Sequence, residues 1–177
     1  NITGVSASEV EINSKIQFFD SIKTEDIQET LIKSAADLIS EDSPNYQYVA
    51  GRLISYHLRK QVYNTFEPPC LCDIIQNNVD VGMYDAEFLD LFTKDEINQL
   101  QEFIDHGRDE YLTYAAMEQF RGKYLVQNRA TGQIYETPQV AYMMIAATLF
   151  SKYPADTRMK YIKGYYDAIS MFKISLP

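Results

Sequence analysis

With 177 residues, the chain is long enough for one domain with a substantial hydrophobic core or for two small ones. Its 46% hydrophobic content, together with only 7 Gly and 6 Pro, excludes an intrinsically disordered chain. The net charge of −9 excludes a general nucleic-acid binder, because such a protein needs a basic surface.

The compartment is predicted from the cysteines and from the absence of targeting signals. No signal-peptide pattern is visible, and the most apolar run, residues 140–150, is too short to cross a bilayer. Cys70 and Cys72 are too close for an easy disulfide and too few for a structural zinc site. We expect a reduced cytoplasmic protein that enters no membrane, with both thiols packed. Because the chain starts at Asn1 and stops after a short extended run, we expect a piece of a longer protein.

A first helix is predicted over residues 5–19. Ser6 and Glu9 have the spacing of a capping box, and Val5 and Val10 the spacing of a hydrophobic staple. Its apolar stripe consists of Ile12, Ile16 and Phe19.

A second helix is predicted to begin at Thr24. Thr24 is expected to be its N-cap, and Glu25 and Asp26 place negative charge in its first turn. Its buried face is predicted to consist of Ile27, Leu31, Ala35 and Leu38.

A third helix is predicted between Ser43, as N-cap before Pro44, and the double proline at 68–69. One face of this helix is apolar but becomes cationic at its C-terminal end. We expect the three predicted helices to pack together. The predicted inner face is Tyr46, Val49, Leu53, Tyr56 and Lys60, and the predicted solvated face is Gln47, Arg52, Ser55 and Arg59.

The remaining elements are predicted from local signals. A helix is expected from Leu71 to near Gly82, another begins with a capping box at Thr93–Glu96, and a third, 111–120, ends at Gly122. Residues 129–133 predict the connection of a small β-hairpin with Gly132 in the left-handed conformation. Two final helices follow, one apolar all round over 138–150 and one over 156–172 that buries, among others, Tyr161 and Phe172.

The sequence contains no recognisable catalytic constellation. Neither a nucleophile–base pair nor a phosphate-binding glycine loop is present. Glu102, Asp105, His106 and Asp109 have spacings that metal ligands use, but charged helix ends usually look the same and are solvated. We therefore predict no metal site and assign no role to two isolated carboxylates, Glu118 and Glu136.

Thr24 and Lys60 are the better candidates for a site. A hydroxyl beside the free N–H groups of a helix N-terminus suits a phosphate, and a lysine that ends a neighbouring helix can supply the charge. Plain capping with a solvated lysine is the alternative, and His57 is by default a core or boundary histidine.

Two segments, IQFFDSIKTEDIQETLIKSAADLI and YQYVAGRLISYHLRK, resemble the ATP-cone of the large (alpha) subunit of class Ia ribonucleotide reductase. The resemblance continues through FEPP and FIDHGRDEYLTYAAMEQFRGKYLVQNRATGQIYETPQ to YYDAISMFKISLP. It covers essentially all 177 residues in order, and the series of motifs is far more specific than any one of them.

The resemblance implies a mainly α fold with one small β-hairpin. Residues 1–64 correspond to the helical part of the cone, without its N-terminal hairpin, and residues 65–177 to a helical N-terminal domain that leads to a catalytic barrel. In the family the cone binds ATP as activator and dATP as inhibitor. The positions that match its nucleotide contacts are Thr24, Lys60, His57 and Gln28, where glutamine replaces a family histidine.

Cofactors and partners are likewise implied by the resemblance. The effectors are ATP and dATP, and the partners are a di-iron radical beta subunit and a second alpha subunit. No catalytic residue lies in these 177 residues, so we expect no reductase activity from the chain alone, and weak nucleotide binding or none. The alternative from another class is a free-standing helical module that binds a partner protein through its acidic, aromatic-rich surface.

Overall fold

Helices make up the regular structure of residues 2–15 and 21–175, the part of the chain that the computed structural model describes. The prediction of a mainly α fold is confirmed. Nine α-helices occur in this part, accompanied by a 3₁₀ helix at His106–Tyr111 and a π-helical turn at Phe120–Tyr124. The α-helices are α1 Ala7–Lys15, α2 Thr24–Asp37, α3 Tyr46–Tyr63, α4 Leu71–Asp80, α5 Glu87–Leu91, α6 Lys94–Phe103, α7 Tyr114–Gln119, α8 Pro138–Phe150 and α9 Ala155–Ser170.

The chain forms two compact units. The first comprises Asn1–Gln61 and Asp109–Tyr124, and the second comprises Val62–Arg108 and Leu125–Pro177. The division at residue 64 that the resemblance implies concerns family domains and stays a prediction. Within the described ranges, no helix is both long and apolar enough to cross a membrane.

The core of the first unit forms where α1, α2 and α3 bring small and large apolar side chains together. Val10, Ala35, Tyr46 and Ala50 are buried in one cluster. The Tyr46 hydroxyl accepts a hydrogen bond from the Ser6 N–H at 3.0 Å and donates to the Glu9 carboxylate. Tyr46 thus lies between the two ends of the predicted capping box and links α1 to α3.

Two details of α1 and α2 differ from the predictions. Ile12 is 63% exposed rather than part of an inner stripe, and the other stripe residues, 16 and 19, lie outside the described residues. Helix α2 begins at Thr24 itself, so Lys23 is the N-cap, and within the described residues its side chain makes no capping bond. The N-cap is therefore one residue earlier than predicted. Thr24 still lies in the first turn of α2, beside the backbone N–H groups that have no partner within the helix.

The predicted inner face of α3 is correct for Tyr46, Val49 and Leu53, which lie in or against the core, but wrong for its last two residues. Tyr56 is 55% exposed and Lys60 is exposed, whereas Ser55, which was assigned to solvent, is buried. The helix instead packs on a face rich in small residues, because Gly51 allows a backbone segment to approach closely. An added Cβ at Gly51 would lie 2.2 Å from the carbonyl oxygen of Leu112. The buried residues are Tyr46, Ala50, Gly51, Ile54, Ser55, His57 and Leu58.

Both ends of α3 also lie inside the predicted limits. Pro44 and Asn45 form a turn before the first helical residue, Tyr46, so Pro44 is not in the first helical position. The helix stops at Tyr63, because Asn64 adopts a left-handed backbone conformation with φ 56°. The double proline at 68–69 therefore follows the end of the helix rather than causing it.

In the second unit the local signals are largely confirmed. The Thr93 hydroxyl accepts a hydrogen bond from the Glu96 N–H, and the Glu96 carboxylate accepts one from the Thr93 N–H, which completes the predicted capping box of α6. Gly82, with φ +71°, follows the end of α4 as predicted. Helix α8 is buried on several sides, whereas Tyr161 and Phe172 are exposed, which contradicts the inner face predicted for α9.

The predicted hairpin is reduced to one antiparallel bridge between Gln127 and Ile134. Gly132 does adopt the left-handed conformation, with φ +75°, and its N–H donates to Asn128. The connection is therefore a tight turn without flanking strands in the described chain.

Candidate functional site

The four residues matched to nucleotide contacts lie on α2 and α3 of the first unit. His57, only 3% exposed, directs Nδ1 at the Oε1 atom of Gln28 within hydrogen-bonding distance. This contact joins two of the four predicted site residues directly, although they are 29 positions apart in sequence. His57 is thus a buried residue with a polar partner, as a boundary histidine or a binding residue would be.

Thr24 and Lys60 lie at the same end of the α2–α3 pair. Ala35, late in α2, shares a cluster with Tyr46 at the start of α3, while Gln28 contacts His57 further along, so the two helices run in opposite directions. Thr24 is one turn before Gln28, and Lys60 is one turn after His57. Both are exposed, and they flank the buried Gln28–His57 pair at the helix ends.

A chain of polar contacts continues from the other side of the His57 ring. Nε2 of His57 lies 3.2 Å from Oε1 of Glu29, and the same oxygen is 2.8 Å from Nη1 of Arg121. Nη2 of Arg121 is 2.6 Å from Oε1 of Glu118. Burial lowers the pKa of Arg121, but hydrogen bonds to Glu29 and Glu118 outweigh burial and raise the pKa above its usual value. Arg121 therefore remains charged between two carboxylates.

These side chains border an open cavity of about 670 Å³ between α2 and α7. Glu29, Glu118 and Arg121 line it, and Lys33 and Tyr114 complete much of its wall. The cavity wall combines charged and apolar side chains. Glu29, which lines the cavity, also contacts His57 on α3.

Two of the four residues weighed as metal ligands have identified partners of another kind. Asp109 is 1% exposed, and its Oδ2 lies 3.2 Å from Arg59 Nη2 and 3.4 Å from the Ser55 hydroxyl. Asp105 accepts a hydrogen bond from the Gly107 N–H at 3.0 Å. In the part of the chain that the structure describes, no three His, Cys, Asp or Glu residues form a metal-binding group. Arg59 was predicted to be solvated, and its ion pair with a buried carboxylate corrects that prediction.

The prediction that both cysteine thiols are packed is wrong for Cys70. Cys70 is exposed at the N-cap of α4, and its sulfur accepts a hydrogen bond from the Asp73 N–H at 3.4 Å. Interaction with Asp73, followed by burial, raises the pKa of this thiol, which makes it less reactive. Cys72 is partly buried, and both thiols are free.

Comparison with known proteins locates these features in a family. The ribonucleotide reductase all-alpha domain matches residues 110–177. Residues 110–177 belong to this family. Over 98% of its length the chain is 57% identical to the ribonucleoside-diphosphate reductase 1 subunit alpha of Escherichia coli. It is 43% identical to the alpha subunit of Enterobacteria phage T4 over 99% of its length, and 32% identical to that of Helicobacter pylori over 98%.

The resemblance to ribonucleotide reductase alpha subunits is thereby confirmed. The chain spans 23% of the length of the Escherichia coli and phage T4 relatives and 21% of that from Helicobacter pylori. The reductase family match begins at residue 110, yet residues 109–124 pack in the first unit with α1, α2 and most of α3. The segment that carries Arg121 is therefore in the same compact unit as the candidate site residues.

Sequence reasoning missed the second half of the polar network. Glu118 was considered isolated, and neither Glu29 nor Arg121 was assigned a role. Glu29 follows Gln28 directly, which is a weak local signal. The contact between Glu29 and Arg121 spans 92 positions, and no periodicity or capping pattern predicts it.

Proposed function

We propose that the chain is the N-terminal allosteric and helical portion of a ribonucleoside-diphosphate reductase alpha subunit. The complete subunit would reduce ribonucleoside diphosphates to deoxyribonucleotides in the cytoplasm, together with a beta subunit that supplies the radical. The similarity to reductase alpha subunits over 98% of the chain supports this proposal. It also weighs against a free-standing interaction module, because the whole chain, rather than one surface, resembles the reductases.

The N-terminal end of α2 and the adjacent C-terminal end of α3 are proposed to bind an adenine nucleotide. ATP would be the activator and dATP the inhibitor. The observation that carries this proposal is the contact between His57 and Gln28 in the first unit. Thr24 and the first N–H groups of α2 suit a phosphate, and Lys60 adds a positive charge at the same end. Gln28 offers its amide to the sugar, and the buried His57 would act through its contact with that amide.

Gln28 is the residue through which discrimination between ATP and dATP would operate. Its amide has both a donor and an acceptor, so it can bond a ribose 2′-hydroxyl that ATP has and dATP lacks. A buried polar group left without its partner costs free energy, and such a loss separates similar ligands. Gln28→His is expected to change the ratio of the dATP and ATP concentrations that give half-maximal effects.

The test uses the alpha subunit that contains this sequence, assayed with its beta subunit while ATP or dATP is titrated. Lys60→Ala should raise the concentration needed for half-maximal effect of both nucleotides at least about tenfold, because a hydrogen bond to a charged group contributes about 1.5–3 kcal/mol. Lys152→Ala removes the same charge from an exposed position in the second unit and is the control. Unchanged nucleotide responses in both Lys60→Ala and His57→Ala would refute the site.

The 177-residue chain by itself should show no reductase turnover when the beta subunit is added. Turnover above that of beta subunit alone would contradict the proposal that the catalytic residues lie in another part of the complete subunit.

A further inference from the structure

We propose that Arg121 is a positioning residue of the candidate nucleotide site, which acts through Glu29 on the ring of His57. Binding at the α2–α3 end would then depend on the segment that follows α7. This inference rests on the proposed function, because it concerns how the same site is regulated.

The first step is the shared oxygen of Glu29. Its Oε1 atom lies 3.2 Å from His57 Nε2 and 2.8 Å from Arg121 Nη1, so the guanidinium and the imidazole bind the same carboxylate atom. Glu118 holds the other terminal nitrogen of Arg121 at 2.6 Å. Two carboxylates therefore fix the guanidinium, and the guanidinium fixes the carboxylate that contacts the ring.

The second step is the proton arrangement on His57. If Nε2–H donates to Glu29 and the ring is neutral, Nδ1 is an acceptor and the NH₂ group of Gln28 must face it. If the carbonyl oxygen of Gln28 faces Nδ1, the ring must carry both protons. The two states are interconverted by rotation of the Gln28 amide together with the gain or loss of one ring proton. The orientation of the amide decides whether its oxygen or its nitrogen is directed at a nucleotide.

The third step is the effect of Arg121 on this choice. A guanidinium on Glu29 neutralises the carboxylate, which weakens the attraction of Glu29 for a second proton on the ring. In the structure, Nδ1 of His57 faces Oε1 of Gln28 and Nε2 faces Oε1 of Glu29, which is the arrangement of the doubly protonated ring. Because Arg121 weakens the hold of Glu29 on the second proton, it makes the neutral ring, with the NH₂ group of Gln28 turned towards Nδ1, easier to reach. Without Arg121, the charge of Glu29 favours the doubly protonated ring and the opposite orientation of the amide.

Simple stabilisation is a weaker explanation for the Arg121 contacts. The side chains of Glu29 and Glu118 are 49% and 38% exposed, and ion pairs with such exposure contribute little to folding. Arg121 also lies in the π-helical turn Phe120–Tyr124, and π-turns occur frequently at functional sites. This turn belongs to the reductase family segment that begins at residue 110, whereas Glu29 and His57 precede it in the chain.

The first experiment reads the ring directly and requires no nucleotide. The chain contains two histidines, so ¹⁵N-histidine spectra of the 177-residue protein show two rings, and His106→Gln assigns them. The pH at which the His57 spectrum changes from the doubly protonated to the neutral Nε2–H pattern should be higher in Arg121→Gln than in the wild type, because Glu29 then holds the second proton more tightly. Lys33→Gln, which removes an exposed charge from the same cavity, should leave the pattern unchanged.

The carboxylate is tested by Glu29→Gln alone and with Arg121→Gln. Glu29→Gln should abolish the effect of Arg121→Gln on the His57 spectrum, because the arginine acts only through that carboxylate. The inference is overturned if Arg121→Gln leaves the His57 spectrum unchanged. It is equally overturned if Arg121→Gln and Lys33→Gln change the spectrum alike, since that would reflect general loss of charge.

The second experiment measures the consequence for the nucleotide in the alpha subunit assayed with its beta subunit. Arg121→Gln should change the ATP concentration for half-maximal activation by at least about fivefold, the lower range of allosteric coupling. Arg121→Lys should restore part of the response, because lysine retains the positive charge but lacks the planar guanidinium that binds two carboxylates at once. An unaltered ATP response in Arg121→Gln, with the wild type responsive, overturns the inference. A wild type that does not respond to nucleotide refutes the proposed function instead, and the histidine spectra still decide whether Arg121 positions His57.

Discussion

Substitution of Gly51 by alanine probes the close contact on which the packing of α3 depends. Gly51 lies in the middle of α3 and faces the backbone just before α7. A Cβ atom there would lie 2.2 Å from the Leu112 carbonyl oxygen and 3.0 Å from the Thr113 carbonyl carbon. Because these are backbone atoms, no side-chain rotation can relieve the overlap.

The size of the effect follows from two opposing contributions. Alanine is about 1 kcal/mol better than glycine inside a helix. Forcing an additional methyl group into a packed contact costs about 1–3 kcal/mol, and a displacement of backbone belongs at or above the upper end of that range. We therefore expect Gly51→Ala to lower the free energy of unfolding by about 2 kcal/mol.

Urea denaturation followed by circular dichroism measures this change, and Gly164→Ala is the matched control. Gly164 is exposed within α9, and an added Cβ would meet nothing within 4 Å. Gly164→Ala should therefore raise the free energy of unfolding by about 0.5–1 kcal/mol. If Gly51→Ala is as stable as the wild type, or stabilises like Gly164→Ala, the close approach of α3 to the 112–113 backbone is wrong.

Two further predictions concern buried carboxylates. Asp109→Asn should lower the free energy of unfolding by about 3 kcal/mol, because it leaves the largely buried Arg59 guanidinium without its counter-ion, whereas exposed Glu110→Gln should change it little. Burial raises the pKa of Glu136, although hydrogen bonds from the Tyr84 hydroxyl and a backbone N–H partly oppose it. A raised folded-state pKa means that the folded protein holds the proton more tightly, so stability is fully present below the unfolded pKa of 4.5 and is lost as pH rises through the folded-state pKa. Glu136→Gln should remove this loss in urea titrations between about pH 4 and 7.

Clear outcomes would contradict each of these predictions. Equal stability losses in Asp109→Asn and Glu110→Gln would mean that the ion pair of Asp109 is no more important than an exposed one. A wild type and a Glu136→Gln variant with the same pH dependence would show that another group is responsible for it.

Features determined within a few residues were predicted from the sequence. The capping box of Thr93 and Glu96 is complete in the structure, α4 ends just before Gly82, and Gly132 adopts the left-handed conformation expected of it. The helical composition also follows from local patterns. These features depend on backbone conformations and hydrogen bonds between neighbours in sequence, so the rest of the fold has little influence on them.

The buried face of α3 shows where such patterns fail. Counting large apolar side chains favoured the face with Tyr56, but the helix packs through Gly51 and Ser55. Small residues contribute little to a hydrophobic pattern, yet they permit the closest approach of another backbone. Which face is buried was therefore decided by the segment that contacts the helix, about 60 positions further along the chain.

The sequence by itself determined the family resemblance and the four candidate residues on α2 and α3, because both are carried by residue identity and order. Only the tertiary structure brought Gln28 against His57 and connected that pair through Glu29 to Arg121. The physical reason is the range of the interactions. Residue 121 lies 92 positions from residue 29, and only the fold of the first unit, in which α2 and the segment of α7 and Arg121 line one cavity, brings the guanidinium to the carboxylate.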